Sequence, residues 1–311
     1  MRAAVVDIGT NSTRLLIADV LPEGRMAEVV RRSVVTRLGA GVDTEGSLSE
    51  DGCERVLAAL TKFGEEIDAH APDADEPYPN LAVMTSAVRD AHNGRVFAER
   101  VRGECGLDTR ILTGEEEARM TFLGAMSGRP SAIEPTVVVD IGGGSTEFIV
   151  GVGKTPGFHV SLPAGVVRMS ERHIHDDPPQ SDELQALAAD TRAVYFAGLP
   201  AEERAPVRRG IAVAGTATSA AAIDQELDPY DPECVHGYPL LLATVEMLLA
   251  RLADMDEAQR RAVVGLDPNR APTIVAGMIL LSEAMRTFAL DEVEVSEHDI
   301  LHGGGALYRR A

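Results

Sequence analysis

An α/β fold built from two similar halves is predicted for this chain, and three observations carry that reading. A strand–turn–strand segment occurs twice: Asp7-Ile8-Gly9-Thr10-Asn11-Ser12-Thr13-Arg14 returns as Asp140-Ile141-Gly142-Gly143-Gly144-Ser145-Thr146-Glu147. Each copy lies between apolar runs, Ala3 to Val6 and Leu15 to Ala18 around the first, Thr136 to Val139 and Phe148 to Val152 around the second. The order of strands and helices after each copy is also the same, and 311 residues suffice for two cores of ordinary size.

The elements follow in order. Strands are expected at Ala3–Val6, Arg14–Val20 and Met26–Leu38, an opening meander. The loop Gly39-Ala40-Gly41 leads to Ser49, an N-cap for a helix to about Ala71 with Val56, Leu57, Leu60 and Phe63 inward. Pro72–Pro79 reads as a surface loop, Leu81–Thr85 as a strand, Arg95–Cys105 as a helix and Thr109–Leu112 as a strand. Thr113-Gly114-Glu115-Glu116 is a capping box opening a helix to about Ser127.

In the second half, strands are expected at Thr136–Val139, Thr146–Val152 and Phe158–Leu162, then helices near Val166–His173 and over Ser181–Phe196. A strand at Ile211–Ala214 enters the turn Gly215-Thr216-Ala217-Thr218 and a helix Ser219–Gln225. Helices Leu240–Ala253, Glu257–Val264 and Pro272–Phe288 precede a last strand, Glu292–Val295. Three strands, then helix, strand and helix, twice over, indicate two ribonuclease-H-like domains with mixed sheets flanked by helices and a cleft between the domains.

Bulk properties narrow the function. A net charge of −20 excludes a general nucleic-acid binder, so any anion site must be local and built from arginine, backbone N–H groups and metal. Lys62 and Lys154 are the only lysines. Cys53, Cys105 and Cys234 lie far apart and form no zinc or disulfide pattern. No apolar run is long enough to span a bilayer and no signal-peptide core follows Met1-Arg2, which predicts a cytoplasmic protein without a membrane partner.

The repeated segment has the chemistry of a phosphate loop. Glycines and small hydroxyl residues let the backbone N–H groups of Thr10, Asn11 and Ser12, and of Gly142, Gly143, Gly144 and Ser145, converge on an anion. Two such hairpins facing each other would grip a phosphoryl chain from both sides. Arg14 and Arg89 are forks suited to phosphate oxygens. Asp140 and Glu147, with Asp7 able to share the role, are candidate ligands for Mg²⁺ or Mn²⁺, and a hydrated magnesium needs few carboxylates beside substrate phosphates. Glu115, Glu116 and Glu117 all sit in a helix's first turn, where the dipole alone favours acids. Gly151-Val152-Gly153-Lys154-Thr155 looks like a P-loop ending but reads as a hairpin turn before Pro156. The dipeptides His175-Asp176 and His298-Asp299 lack the partners of a metal phosphohydrolase.

Four motifs in order resemble the exopolyphosphatase/guanosine pentaphosphate phosphohydrolase family of the actin-like phosphotransferase superfamily: Asp7–Arg14, Thr85–Ala91, Gly114–Arg119 and Asp140–Glu147. The resemblance runs over essentially the whole chain and includes the Gly215-Thr216 turn as substrate-binding. Where many relatives have L-R-E-G, this chain has Ile300-Leu301-His302-Gly303, so no role is carried over from that Arg and Glu. The resemblance implies an actin-like domain of residues 1–123 plus 297–311, a second of residues 124–296, and a homodimer. It also implies a Mg²⁺-dependent hydrolase that releases terminal orthophosphate from inorganic polyphosphate or guanosine pentaphosphate, with Glu117 as general base and Asp140 and Glu147 in the catalytic set. The competing readings are an acetate- or sugar-kinase-like phosphotransferase and a nucleotide-driven switch module.

Overall fold

The structure is a computed structural model describing residues 1–21, 26–72, 78–129 and 133–304. The chain divides into two compact units, Met1–Gly128 with Ile300–Ala311, and Arg129–Asp299. Gly128, beyond the end of a helix, closes the first unit, whereas a cut after residue 123 would fall inside that helix. Part of the expected Pro72–Pro79 loop and residues 305–311 lie outside the described residues.

The first unit begins with strands β1 (Arg2–Ile8), β2 (Ser12–Val20) and β3 (Met26–Val35), continues through helices α1 (Val42–Glu45) and α2 (Glu50–Ala69), and adds β4 (Asn80–Met84). Helices α3 (Ser86–Asp90) and α4 (Gly94–Cys105), strand β5 (Asp108–Ile111) and helix α5 (Gly114–Ala125) complete the run. The five strands form one mixed sheet in the order β3-β2-β1-β4-β5. Ala4, Val6 and Ile8 of β1 face α2 and α4 through Val56, Leu57, Leu60, Phe63, Phe97 and Val101. The alternate residue Val5 packs with Leu16, Ala18 and Leu301 on the other face. Burial on both faces explains why β1 reads as an unbroken apolar run.

Ser49 caps α2 by accepting from the Gly52 N–H, and the capping box at α5 closes in both directions between Thr113 and Glu116. The short helices α1 and α3 were not expected from periodicity, because four or five residues hold too few turns to show one.

The second unit repeats the plan with β6 (Thr136–Ile141), β7 (Thr146–Val152), β8 (Thr155–Leu162), α6 (Val166–His173), α7 (Ser181–Gly198), α8 (Ala201–Arg204), β9 (Arg209–Val213) and α9 (Ala214–Asp224). It ends with α10 (Pro232–Val235), β10 (Pro239–Leu241), α11 (Leu242–Ala253), α12 (Glu257–Arg260), α13 (Ile274–Thr287) and β11 (Glu292–Val295). Its sheet runs β10-β11-β9-β6-β7-β8, so an antiparallel meander again joins parallel strands. Helix α13 is buried at every position but Arg286 and forms the spine of this core. Phe148 meets Tyr195 edge to face at 4.9 Å, and the Tyr195 hydroxyl donates to Thr146.

Two expectations change here. Leu240 and Leu241 belong to strand β10, not to the following helix, because they pair with Val293 and Glu292 of β11. The Gly215–Thr218 segment is not a turn: α9 begins at Ala214 directly after β9, and Ala214 absorbs the sharp change of direction with φ 63°. The last helix, α14 (Ile300–Gly303), belongs to the first unit, where Ile300 joins Leu81, Val83, Leu112 and Met120.

Candidate phosphate-binding sites

In the first unit three chain segments leave the sheet at the carboxyl ends of parallel strands. Ile8 of β1 lies beside Met84 of β4, and Met84 beside Ile111 of β5. The loop after β1, helix α3 after β4 and helix α5 after β5 therefore gather at one edge, the usual location of ligand sites in such sheets.

The β1–β2 hairpin sets Asp7 opposite Arg14, and its turn closes with the Gly9 N–H donating to the Ser12 carbonyl at 3.0 Å. A side chain at position 9 would approach that carbonyl to 3.1 Å, so the turn favours glycine. Arg14 bonds the Asp7 carboxylate through Nε at 3.0 Å and Nη2 at 2.6 Å, with Asp7 almost fully buried. Thr10 shares a 3.0 Å hydrogen bond with Ser86, which ties the loop to α3. Arg89 of α3 in turn donates to Glu117 of α5 at 2.6 Å and to the Leu112 carbonyl at 3.2 Å. The structure thus brings Arg89 and Glu117 together across 28 residues of chain, and the Glu117 side chain is only 12% exposed.

The three first-turn glutamates divide as their surroundings dictate. Glu115 is exposed. Glu116 accepts from the Thr113 N–H and pairs with Arg110. The Thr113 backbone N–H first, then Arg110, hold the Glu116 carboxyl below the usual glutamate range against the opposing effect of burial. Glu117 points to Arg89.

The second unit uses the same backbone device. Asp140 stands opposite Glu147, and the Gly142 N–H donates to the Ser145 carbonyl at 2.9 Å. Glu147 Oε1 accepts from the hydroxyls of Ser145 and Ser161, the latter at 2.7 Å. Its other oxygen lies 4.0 Å from where a Cβ at Gly142 would sit. The loop is braced by α6: Val166 and Val167 donate to the Gly142 and Gly143 carbonyls at 2.9 Å, and Arg168 Nε donates to the Gly144 carbonyl at 2.8 Å. Asp140 of β6 lies beside Val213 of β9, so the start of α9 emerges at the same edge as the loop. There the Arg270 guanidinium occupies the space a side chain would need at Gly215, and Thr216 is buried.

Both loops leave donors for an anion. Among the described residues no hydrogen bond within the protein takes up the N–H groups of Thr10 and Asn11, or of Gly143, Gly144 and Ser145. Unpaired N–H groups at such a turn are available to an anion, as in a backbone nest. Ser12 instead enters β2 opposite Val35, so its backbone serves the sheet.

For a metal, the donor set is small. Among the described residues no three His, Cys, Asp or Glu side chains group together. Asp140 and Glu147, facing each other across one strand pair, suit a magnesium ion that retains several waters. Asp7 is the ion-pair partner of Arg14. The His-Asp dipeptides lie in other settings: the His175 N–H is held by Glu183, and His298 stacks on His236 at 4.2 Å. The Gly151–Thr155 segment is the β7–β8 hairpin turn.

Ser86, Ser161, Arg168 and Arg270 were not singled out from sequence. Ser86 lies within the Thr85–Ala91 motif and could have been found there. The other three meet their loops from 14 to 55 residues away with no local signal. No helix among the described residues is long and apolar enough to cross a membrane.

Duplicated hairpins of this kind, each at the carboxyl edge of a mixed sheet, define a two-domain α/β protein with a candidate anion site in each unit. Residues 16–304 match the Ppx/GppA phosphatase family, and the chain belongs to that family. It is 37% identical over 317 aligned positions, 97% of each chain, to "Exopolyphosphatase 2" of Mycobacterium tuberculosis. Among solved structures it is similar to the Ppx/GppA family member of Aquifex aeolicus, with 30% identity, a TM-score of 0.82 and coverage of 100% of this chain and 98% of that one. An exopolyphosphatase from Cytophaga hutchinsonii gives 28% identity and a TM-score of 0.86 over 100% of this chain and 97% of that one. These likenesses bear out the actin-like, two-domain α/β class read from the sequence.

Proposed function

We propose that the chain is a metal-dependent hydrolase that releases terminal orthophosphate from inorganic polyphosphate, from guanosine pentaphosphate, or from both. The observation that carries this reading is the pair of backbone nests, one beside an arginine–glutamate pair and the other beside two facing carboxylates. The similarity to an exopolyphosphatase along the full length supports polyphosphate as a substrate. Both candidate substrates end in a phosphoanhydride, so the same terminal chemistry serves either.

Hydrolysis of such a bond needs charge neutralisation, a placed water and an in-line approach. In the first unit the Thr10 and Asn11 N–H groups and Arg14 bind phosphoryl oxygens. In the resting arrangement Arg89 holds the Glu117 carboxylate. A phosphoryl oxygen that draws Arg89 to itself leaves Glu117 to accept the proton of the attacking water. In the second unit Gly143, Gly144 and Ser145 offer N–H groups, while Ser161 and Ser145 orient Glu147. Asp140 and Glu147 would hold Mg²⁺ or Mn²⁺, which when bound neutralises charge on the phosphoryl oxygens. Asp7 is available to a metal only if substrate draws Arg14 away from it. Arg270, against Gly215, adds a cation at the start of α9.

The test is to incubate the purified protein with polyphosphate, with guanosine pentaphosphate, and with ATP plus acetate or sugar acceptors, following orthophosphate. Release from either of the first two, lost in chelator and restored by Mg²⁺, supports the reading. Transfer from ATP to an acceptor without such release would replace it with a kinase.

A further inference from the structure

We propose that Arg37, braced by Arg55, forms a second phosphate subsite beside the first loop, one that takes an inner phosphoryl group of an oligophosphate chain. The proposal rests on the hydrolase reading above and extends it from the terminal phosphate to the chain behind it.

The backbone places Arg37 against the loop. Immediately after β3, the N–H groups of Thr36 and Arg37 both donate to the Asn11 carbonyl, at 3.0 and 2.9 Å, and the Gly39 N–H donates to the Thr10 carbonyl at 2.8 Å. Thr10 and Asn11 are the residues whose own N–H groups form the first nest. Arg37 is therefore one hydrogen bond from the anion site, and its side chain is exposed.

Its conformation is unusual. Arg37 has φ 48°, in the left-handed region where side chains other than glycine are strained. Arg55 of α2 secures the turn, with Nε donating to the Thr36 carbonyl at 2.7 Å and Nη2 to the Arg37 carbonyl at 3.3 Å. Glycine would take this backbone without strain. An arginine at a strained position beside a candidate ligand loop points to work for its side chain.

Charge supports the same conclusion. Arg2, Arg32, Arg100 and Arg110 of this unit each end on a carboxylate. Among the described residues, Arg37, Arg55, Arg95, Arg102 and Arg119 show no carboxylate partner, and of these Arg37 and Arg55 are bonded to the segment beside the first loop. In a chain of net charge −20, two guanidinium groups with no carboxylate partner among the described residues, next to the first loop, favour an anion there. A terminal phosphate fills one nest. A guanidinium carried by the residue whose backbone bonds the loop suits the next anionic groups of a phosphoryl chain, which its planar fork can bind through two oxygens.

The experiment compares Arg37→Gly and Arg37→Lys with the unaltered protein, measuring KM and kcat on tripolyphosphate and on long-chain polyphosphate, together with the melting temperature. Arg37→Gly relieves the backbone strain, so it folds at least as stably. The expected result is a rise of roughly fivefold or more in KM for the long chain, a smaller rise for tripolyphosphate, little change in kcat, and partial recovery with lysine. An unchanged KM ratio between the two substrates overturns the proposal, as does an equal loss on both, which would show that position 37 only shapes the loop. If the unaltered protein releases orthophosphate from neither substrate, it is the hydrolase reading that fails, and the subsite falls with it.

Discussion

The two phosphate loops share a backbone and differ in charge. In both, an aspartate at a strand end faces the eighth residue of the segment across the hairpin, and a glycine N–H closes the turn onto a serine carbonyl at 3.0 or 2.9 Å. The facing residue is Arg14 in one and Glu147 in the other. Opposite charges at one geometric position give opposite partners. Arg14 neutralises Asp7, while Glu147 cannot neutralise Asp140 and is steadied by serine hydroxyls instead. The duplication preserved the turn, and the proposed function divides the remaining work, with an anion clamp and a proton acceptor assigned to one unit and a metal-holding pair to the other.

The sharpest way to break this division is at Glu117. Glu117→Gln keeps size and hydrogen bonding but removes the proton acceptor, and turnover is expected to fall by about 10²–10⁴-fold. Glu115→Gln, on an exposed side chain of the same helical turn, should leave turnover near that of the unaltered protein and change stability by only about 0.3–1 kcal/mol, whereas Glu117→Gln also loses its charged bond to Arg89, about 1.5–3 kcal/mol of stability. Equal mild effects on turnover would remove Glu117 from the chemistry.

A pair of substitutions at matching positions sharpens the comparison next. Arg14→Ala should raise the substrate concentration for half-maximal rate by on the order of tenfold or more, since a hydrogen bond to a charged group contributes about 1.5–3 kcal/mol. Asp140→Asn should instead raise the Mg²⁺ concentration required, measured both by activity and by calorimetric titration with Mn²⁺. If both variants shift the same constant, the loops have not divided their tasks.

Ser161→Ala tests the steadying of Glu147. Loss of the 2.7 Å bond should weaken Mn²⁺ binding by about tenfold, the lower end for residues that orient metal ligands, while stability changes by only about 0.5–1.5 kcal/mol. Ser161→Thr should recover part of the affinity. Unaltered Mn²⁺ titration in the alanine variant would leave Ser161 without a positioning role.

The smallest expected effect concerns Glu116. Its folded-state affinity for a proton is lowered by the Thr113 N–H and Arg110, so its contribution to stability is present above the unfolded value and lost as pH falls through the folded one. Glu116→Gln should therefore lower the melting temperature slightly at neutral pH, and the difference should vanish in the acid range below the usual glutamate titration. A difference that grew on acidification would contradict this assignment.

Much of this could be read from eight-residue windows. The loops, the Ser49 cap and the Thr113–Glu116 box depend on neighbours in the chain, and glycine, hydroxyl and acid at fixed offsets report them directly. The limits of the β7 strand and of helix α6 were legible for the same reason. Partners that meet across the sheet were not. Thr10 with Ser86 and Arg89 with Glu117 depend on β1, β4 and β5 lying parallel, a register with no local signature. The pairing of Glu147 is the clearest case. Carrying the hairpin register of Val152 with Thr155 along the strands would set Val160 opposite Glu147, but a bulge between Ile149 and Gly151 shifts the register by one and brings Ser161 there. One extra residue in a strand exchanges the side chains presented to each face, so it converts an apolar neighbour into a hydrogen-bond donor. Likewise Gly215 reads as a turn residue in the chain, and only the packed structure shows the Arg270 guanidinium filling the space above it. Local chemistry named the groups proposed to handle phosphate. Strand register and close packing, which bring distant residues within hydrogen-bond reach, chose their partners.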